Sequence, residues 1–207
     1  MKLPGSIIIM LIIFKLQAQQ ADTLRYADNS LKAIGKTEDA EKVGIWKYYF
    51  PNGNLNAILT YENGHLDGIQ KYYSFEGKLI SKEFYQNGLP QDSAKYFYPS
   101  GKLEKEGKYE NGFYEGKWVF YYENGNLKRI GNYILGLPNG EWEFFFENGK
   151  LNQKGELKDG LEEGSWIYYD DAGSQLYEGS WDNGEKIGEW YYFKNGKKKR
   201  WKVFKKT

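Results

Sequence analysis

A repeat of 24 residues runs through most of this chain and limits it to architectures in which successive units stack on one another. The rows of this repeat begin at Gly44, Gly68, Asp92, Gly116, Gly140, Gly164 and Gly188. The first six rows keep one register without an insertion, and the seventh is one residue short before its turn glycine, Gly196. Such periodicity predicts a repeat array, in which each unit buries its apolar surface against its neighbours.

Aromatic residues and glycines recur at fixed positions of the row. The second residue after the row start is tryptophan in five rows, at Trp46, Trp118, Trp142, Trp166 and Trp190, and it is Gln70 and Ala94 in the other two. A tyrosine or phenylalanine follows two positions later, and glycines recur nine and twenty residues after the row start in the first six rows. Tyrosine suits a half-buried pleated surface and glycine supplies positive φ, so the pattern favours strands joined by tight turns.

Each row is predicted to form a β-hairpin. The dipeptide Asn-Gly occurs nine times, at Asn52, Asn63, Asn87, Asn111, Asn124, Asn139, Asn148, Asn183 and Asn195. Both residues tolerate the positive φ of a type I′ turn, so most copies are expected at one of the two turns of a unit. No segment after the N-terminal apolar run shows helical periodicity. The sequence therefore predicts an all-β chain of tandem 24-residue hairpins that form an elongated antiparallel sheet or solenoid.

The two faces of the predicted sheet differ in composition. Because alternate residues of a strand share a face, the tryptophans lie with the aromatic residues two and four positions later. We interpret these tryptophans as a packing ladder, with a carbohydrate platform as the alternative, since sugars stack on aromatic rings. The opposite face combines charged residues with an aromatic row, which makes it the candidate binding face. This row is Tyr49, Tyr73, Phe97, Tyr121, Phe145 and Tyr169.

The ends of the chain differ from the array. Lys2, an apolar run from Ile7 to Phe14 and the small residue Ala18 predict a cleaved signal peptide over residues 1–18, hence export through the Sec route to the periplasm, the cell envelope or the exterior. Residues 19–43 are interpreted as a degenerate half-repeat that caps the array over residues 44–196. A basic tail follows over residues 197–207.

The basic tail contains Lys197, Lys198, Lys199, Arg200 and Lys202 with no acidic residue among them. One interpretation is a solvated edge strand, because lysine protects an edge from pairing with another sheet. The other is contact with anionic lipid, with lipopolysaccharide phosphate or with an acidic partner.

Composition argues against catalysis, cofactors, metals and nucleic acid. The formal net charge is +1, whereas nucleic-acid binding needs a basic surface. The chain has no cysteine, and its single histidine, His65, follows an Asn-Gly turn without a second ligand or a serine elbow. The carboxylate pairs at residues 162–163 and 170–171 occupy glycine-flanked turns and lack the spacing of a calcium loop. We therefore expect a chain that is not an enzyme and has no cofactor.

The row pattern Gly-x-Trp-x-x-Tyr-Tyr-x-x-Asn-Gly-x-Leu, followed by Gly-x-Tyr-x-Asn-Gly-x-x-x-Gly, resembles the bacterial variant of the MORN repeat. The matching rows are clearest over residues 116–136, 140–160 and 164–184. Bacterial chains of such repeats are often labelled YwqK-type antitoxins. The resemblance implies an interaction module used in protein contact, membrane-lipid contact or toxin neutralisation.

The leading hypothesis is a non-enzymatic, exported module that holds a protein partner at the cell envelope. One alternative is binding of glycan, such as peptidoglycan, or of anionic lipid, through the aromatic face or the basic tail. A second alternative is an antitoxin-like or immunity-like role against an exported toxin, because the predicted signal peptide argues against a cytoplasmic antitoxin.

Overall fold

A computed structural model describes residues 21–205, and over this range the chain forms 17 β-strands, all paired antiparallel, and no helix. The strands are β1 (Asp22–Arg25), β2 (Leu31–Glu38), β3 (Glu41–Tyr49), β4 (Leu55–Glu62), β5 (His65–Leu66), β6 (Gly68–Tyr73), β7 (Leu79–Gln86), β8 (Leu89–Phe97), β9 (Leu103–Glu110), β10 (Phe113–Tyr121), β11 (Leu127–Ile134), β12 (Leu137–Phe145), β13 (Leu151–Lys158), β14 (Leu161–Tyr169), β15 (Gln175–Asp182), β16 (Glu185–Lys194) and β17 (Lys197–Phe204).

The strands form one sheet in which chain neighbours are also neighbours in space. Pairing runs in chain order from β1 to β17, with β4 contacting both β5 and β6, which Asp67 separates. Among the described residues β1 pairs with β2 alone and β17 with β16 alone, so the sheet is open at both ends. The predicted all-β hairpin array is thus confirmed, and the two strands of each unit advance the sheet by about 10 Å.

The strand ends form the two long edges of the sheet. We call one of them the type I′ edge, because two-residue turns of type I′ join the second strand of each unit to the first strand of the next unit there. Asn63 has φ of 47° and Gly64 has φ of 76°, the conformation that the Asn-Gly pattern predicts. Asn87, Asn111 and Asn183 adopt the same left-handed conformation. Two further units place Leu135 and Asp159 at this position before their glycines.

The opposite long edge carries a different turn in the first six units, and there the type I′ prediction is wrong, whereas Asn195 and Gly196 in the last unit both have positive φ. Gly53 has φ of 85°, whereas Asn52 does not have positive φ. The N–H of Gly53 donates to the carbonyl of Phe50 at 2.9 Å, and the N–H of Phe50 donates to Asn54 at 2.8 Å, the pattern of a type I turn closed by a glycine bulge. Asn124 and Asn148 occupy equivalent turns.

The asparagines of this second edge link adjacent units instead of adopting positive φ. The side-chain amide of Asn124 donates to the carbonyl of Glu147 at 2.7 Å, and that of Asn148 donates to Asp171 at 2.8 Å. The ninth Asn-Gly copy, at Asn139, is not a turn at all, since it lies inside β12.

Each row of the repeat begins at a β-bulge, and the first residue of the row is also the first residue of that bulge. In β10, Glu115 pairs with Lys108 and Val119 with Glu106, so three residues of β10 face Gly107 alone. Gly116, the first of these three, has φ of 62°. Asp92, the one row start that is not glycine, takes φ of 56°. A bulge sharpens the local twist and redirects the next side chain, here the tryptophan.

The structure assigns strands to both predicted terminal regions that it describes. Within residues 19–43, β1 and β2 form a hairpin that pairs onto β3. The predicted basic tail is largely β17, which pairs with β16 along its length. The predicted signal peptide over residues 1–18 lies outside the described residues and stays a prediction.

Candidate functional site

The ladder tryptophans are the most buried large side chains of the sheet. Trp46, Trp118, Trp142, Trp166 and Trp190 are between 0% and 2% exposed. Trp46, Trp142 and Trp166 stack with the aromatic residue two positions later, and rings of neighbouring units are also in contact. Phe144 lies 5.8 Å from Trp142 in its own unit and 6.2 Å from Trp166 in the next, measured between ring centroids.

Each ladder tryptophan lies directly on a glycine of the preceding strand. A Cβ atom added to Gly131 would lie 2.2 Å from the Trp142 indole, which no real side chain tolerates. The same holds for the four other pairs, Gly35 with Trp46, Gly107 with Trp118, Gly155 with Trp166 and Gly179 with Trp190. The indole therefore occupies the space that a side chain on the facing strand would need.

The indole nitrogen fixes the ladder to the backbone. Nε1 of Trp118 donates to the carbonyl of Lys108 at 2.9 Å, and Trp46, Trp166 and Trp190 make the equivalent bond to the residue ten positions earlier. Nε1 of Trp142 is buried without a partner.

Cations cover the rings of the ladder face. Nζ of Lys105 lies 4.1 Å from the ring centroid of Tyr96 and donates to the hydroxyl of Tyr114 at 2.7 Å. The guanidinium of Arg129 lies 4.1 Å from the Phe120 ring. Such contacts stabilise the positive charge against the negative ring face.

Buried tyrosine hydroxyls on this face titrate only at high pH. Burial, together with the hydrogen bond to Tyr48, raises the pKa of Tyr61 to about 12. Burial and the hydrogen bond between the two hydroxyls, which are 2.8 Å apart, raise the pKa of Tyr96, and burial raises that of Tyr109. These groups are therefore neutral at physiological pH and act as hydrogen-bonding and packing groups.

The predicted binding face carries its aromatic row as expected, but the rings are only partly accessible. Tyr49, Tyr73, Phe97, Tyr121, Phe145 and Tyr169 are all of intermediate burial. Ion pairs lie beside them. Lys95 contacts Glu106 at 2.9 Å, and the hydroxyl of Tyr121 donates to the same carboxylate at 3.3 Å. The contact with Glu106 raises the pKa of Lys95. A role of this row in binding stays a prediction.

The type I′ edge exposes an apolar row that the sequence patterns did not single out. Leu89, Phe113, Leu137 and Leu161 each follow a turn and are between 43% and 55% exposed. Leu135 stands inside a turn at φ of 49° and is 73% exposed, beside Ile134 at 54%. The exposure of Leu135 could have been inferred by aligning the rows, because this leucine occupies a turn position at which the other units have asparagine or aspartate.

The basic residues of β17 are partly neutralised by acidic residues of β15 and β16. Lys198 forms an ion pair with Glu178, and Arg200 with Glu189. Lys202 pairs with Trp190 in register, at the place where the earlier units have the ladder glycine.

Among residues 21–205 no group of three or more His, Cys, Asp or Glu side chains is arranged to hold a metal ion. His65 is exposed at the start of β5. Over the same range no helix has the length and apolarity needed to cross a membrane.

Comparison with known proteins places the repeats in a family. The family model described as MORN repeat variant matches residues 42–63, 66–87, 93–111, 114–134 and 138–159, together about half of the chain. The hairpins of residues 161–204 continue the same strand pairing beyond the last match. No curated protein matched the chain.

Two solved structures are similar over parts of the chain. The GtfA/B complex bound to UDP and GlcNAc matches with 9% identity and a TM-score of 0.25, over 58% of this chain and 25% of that one. The TcdB2-TccC3-Cdc42 complex matches with 13% identity and a TM-score of 0.23, over 86% of this chain and 12% of that one. This chain therefore spans a quarter or less of either relative, and these scores carry no argument about function.

Proposed function

Because the chain belongs to the MORN repeat variant family, a family of non-catalytic repeat modules, we propose that this protein is a scaffold that holds a protein partner at the cell envelope. The observation that carries the proposal is Leu135, whose side chain is the most exposed large apolar residue of the described chain. Its left-handed backbone conformation disfavours leucine, by about 1 kcal/mol or more relative to glycine. A residue that is both strained and exposed to water supports a role in contact with another molecule.

The surroundings of Leu135 extend this contact surface along the edge. We call Phe113, Ile134, Leu135, Leu137 and Leu161 the edge patch. Contiguous exposed apolar residues on a soluble chain are typical of protein-binding sites. Phe113 and Leu161 also pack against the next turn, near Gly136 and Gly184, so part of the patch is held in place by the array.

The ladder supports the proposed function indirectly, because its rings pack adjacent units of the array against one another. It offers less to a carbohydrate, because its five tryptophans are at most 2% exposed. Lipid contact through β17 is weakened as an alternative by the ion pairs of Lys198 and Arg200. The antitoxin-like role differs from the proposal only in the identity of the partner.

A photo-crosslinking residue at position 135 tests the proposal in living cells. We expect a defined crosslink to one protein at position 135 and none at position 63, which occupies the same turn position in another unit. Leu135→Asn restores the residue that the turn prefers, so the fold should be at least as stable while the partner is lost. A folded Leu135→Asn protein that keeps the partner at unchanged affinity would rule out the edge patch.

The location at the cell envelope rests on the predicted signal peptide. N-terminal sequencing of the protein from fractionated cells should find a mature chain that begins at Gln19 outside the cytoplasm. A chain that begins at Met1 in the cytoplasm would reject export while leaving the scaffold proposal to the crosslinking experiment.

A further inference from the structure

Two exposed aromatic side chains meet near the C-terminal end of the ladder face. All 19 tyrosines and seven tryptophans of the chain lie within the described residues, and only Tyr177 and Trp201 are more than a third exposed, at 39% and 49%. Their ring centroids are 5.3 Å apart and the rings are inclined by 49°. Every other tyrosine and tryptophan is buried or of intermediate burial.

Local departures from the repeat place both rings there. Tyr177 pairs with Tyr168, at a position where the earlier units have Ala57, Ser81 or a long polar side chain. Trp201 lies at a register shift between Trp190 and the next residue of β16, where the last unit differs from the others. A bulge that redirects a side chain is common beside binding sites.

The two rings line a cleft of about 270 Å³ together with Tyr168, Lys186 and Trp190. Trp190, 1% exposed, forms an apolar base for it. Nζ of Lys186 lies 4.4 Å from the Trp190 ring centroid and 5.6 Å from that of Trp201. The cleft therefore offers ring faces and an ammonium group within the reach of one small ligand.

Positive charge predominates around this cleft. Lys199 pairs in register with Tyr192 and Lys202 with Trp190, and paired residues of adjacent strands project to the same face. On the acidic side, Glu162 is close enough to contribute to the raised pKa of Tyr168. Lys186 is the only charged residue among the described residues that line the cleft, and its ammonium disfavours a cationic ligand and favours an anionic one.

We propose that the cleft between Tyr177 and Trp201 binds an acidic sugar ring, a pyranoside that carries a carboxylate. The C–H groups of a pyranose form a flat apolar face that packs on indole and phenol rings, and its carboxylate pairs with the Lys186 ammonium. Flat aromatic walls with a few placed polar groups are typical of small-ligand sites. The site is separate from the edge patch, so the two proposals stand or fall independently.

Titration of the full chain with an oligomer of glucuronic acid tests the site, with the neutral glucose oligomer as the matched ligand. We expect the acidic oligomer to bind, to change the fluorescence of Trp201 and to bind at least about tenfold more tightly than the neutral one. No binding of the acidic oligomer, or equal affinity for the two, overturns the proposal. If the protein binds a nucleotide but not the acidic oligomer, the proposal is also overturned.

Three variants locate the binding on the cleft. Tyr177→Ser adopts the residue of Ser81 in an earlier unit, and Lys186→Leu adopts that of Leu66, so both should fold. We expect Tyr177→Ser and Trp201→Ala each to weaken binding about tenfold, and Lys186→Leu to remove the preference for the acid. Phe75→Ala, at an exposed aromatic residue outside both the cleft and the edge patch, is the control that should leave the affinity for the acidic oligomer unchanged. Unchanged affinity in folded Tyr177→Ser and Trp201→Ala refutes the site.

The sugar could be part of a cell wall or a soluble oligosaccharide, and sedimentation with purified wall distinguishes them. Sedimentation that the glucuronic acid oligomer competes away supports a wall glycan, and absent sedimentation with intact binding of the oligomer supports a soluble one. Sedimentation that the oligomer does not reduce contradicts the proposal, because the wall would then be held elsewhere.

Discussion

Five units of the array carry a ladder tryptophan, whereas the two units that begin at Gly68 and Asp92 carry Gln70 and Ala94 in its place. The residue that faces this position from the preceding strand differs in the same two units. Eleven residues before each tryptophan stands a glycine, and eleven residues before Gln70 and Ala94 stand Leu59 and Glu83. Tryptophan and glycine therefore form one structural unit, because the indole fits only where the preceding strand lacks a Cβ atom.

The two units without tryptophan are held by polar contacts instead. Gln70 is fully buried, and its amide accepts from the N–H of Thr60 at 2.9 Å and donates to the carbonyl of Thr60 at 3.2 Å. This carbonyl occupies the position that accepts the indole N–H in the other units. Beside Ala94, the hydroxyls of Tyr96 and Tyr109 bond to each other at 2.8 Å.

Removal of a ladder ring should have the largest effect. Trp142→Ala creates a cavity between Tyr133 and Phe144, and we expect the free energy of unfolding to fall by about 3–5 kcal/mol in urea denaturation. Phe113→Ala, at an exposed ring, is the control and should cost less than about 1 kcal/mol. A similar cost for the two would show that the ladder does not stabilise the array.

Addition of one methyl group under the ladder should rank second. Gly131→Ala places a Cβ atom within 2.6 Å of three Trp142 ring atoms, and we expect a loss of about 1–3 kcal/mol from overpacking. Asn132→Ala, at the next and exposed position, should stay within about 0.5 kcal/mol of the parent protein.

A double-mutant cycle then tests whether the two residues act as one unit. Trp142→Gln combined with Gly131→Leu reproduces the Gln70 and Leu59 pair, so the double variant should lose less stability than the sum of its single variants. Additive losses would mean that glycine and tryptophan occur together for separate reasons.

Truncation of the buried glutamine should have a smaller effect than loss of a tryptophan. Gln70→Ala leaves the N–H and the carbonyl of Thr60 without their partner, at an expected cost of about 1–3 kcal/mol. Gln70→Leu keeps most of the volume and separates packing from hydrogen bonding. If Gln70→Leu unfolds at the same denaturant concentration as the parent, the polar contacts do not stabilise this unit.

Alkaline solution should destabilise units of both kinds, because Tyr61 belongs to a unit with a ladder tryptophan and Tyr85 to a unit without one. The folded-state pKa values of Tyr61 and Tyr85 are raised to about 12, mainly by burial, above the ordinary value of 10 in the unfolded chain. A raised pKa means that the folded chain binds the proton more tightly, so stability is full below pH 10 and falls between pH 10 and 12. Thermal denaturation across this range should show the decline, and Tyr61→Phe should make it shallower. A midpoint that does not change from pH 9 to 12 would contradict the assignment.

Sequence patterns predicted the hairpin unit, its register and the burial of the tryptophans, because period and turn residues are local properties. They missed the glycine that faces each tryptophan, although Gly107 and Gly131 recur at a fixed distance before Trp118 and Trp142. The distance is visible in the sequence, but its meaning depends on which strands pair. The Asn-Gly pattern predicts positive φ for Asn124, whereas this residue lacks positive φ and its side-chain amide donates to the next unit.

The candidate sites were less accessible to sequence reasoning than the fold. The aromatic row of the opposite face lies where alternation places it, yet exposure depends on how neighbouring strands and ion pairs cover each ring. Leu135 and Trp201 are single departures from the repeat, and a departure has no predicted environment until the strands around it are placed.

Apolar alternation, turn glycines and a constant period are enough to predict an antiparallel hairpin array, because they leave few other ways to pair the backbone. Which aromatic rings remain exposed to solvent could be seen only once the strands were placed. Accessibility is a property of neighbouring strands, and the ring of Trp190 is closed by its neighbours whereas the rings of Tyr177 and Trp201 stay open at the end of the sheet.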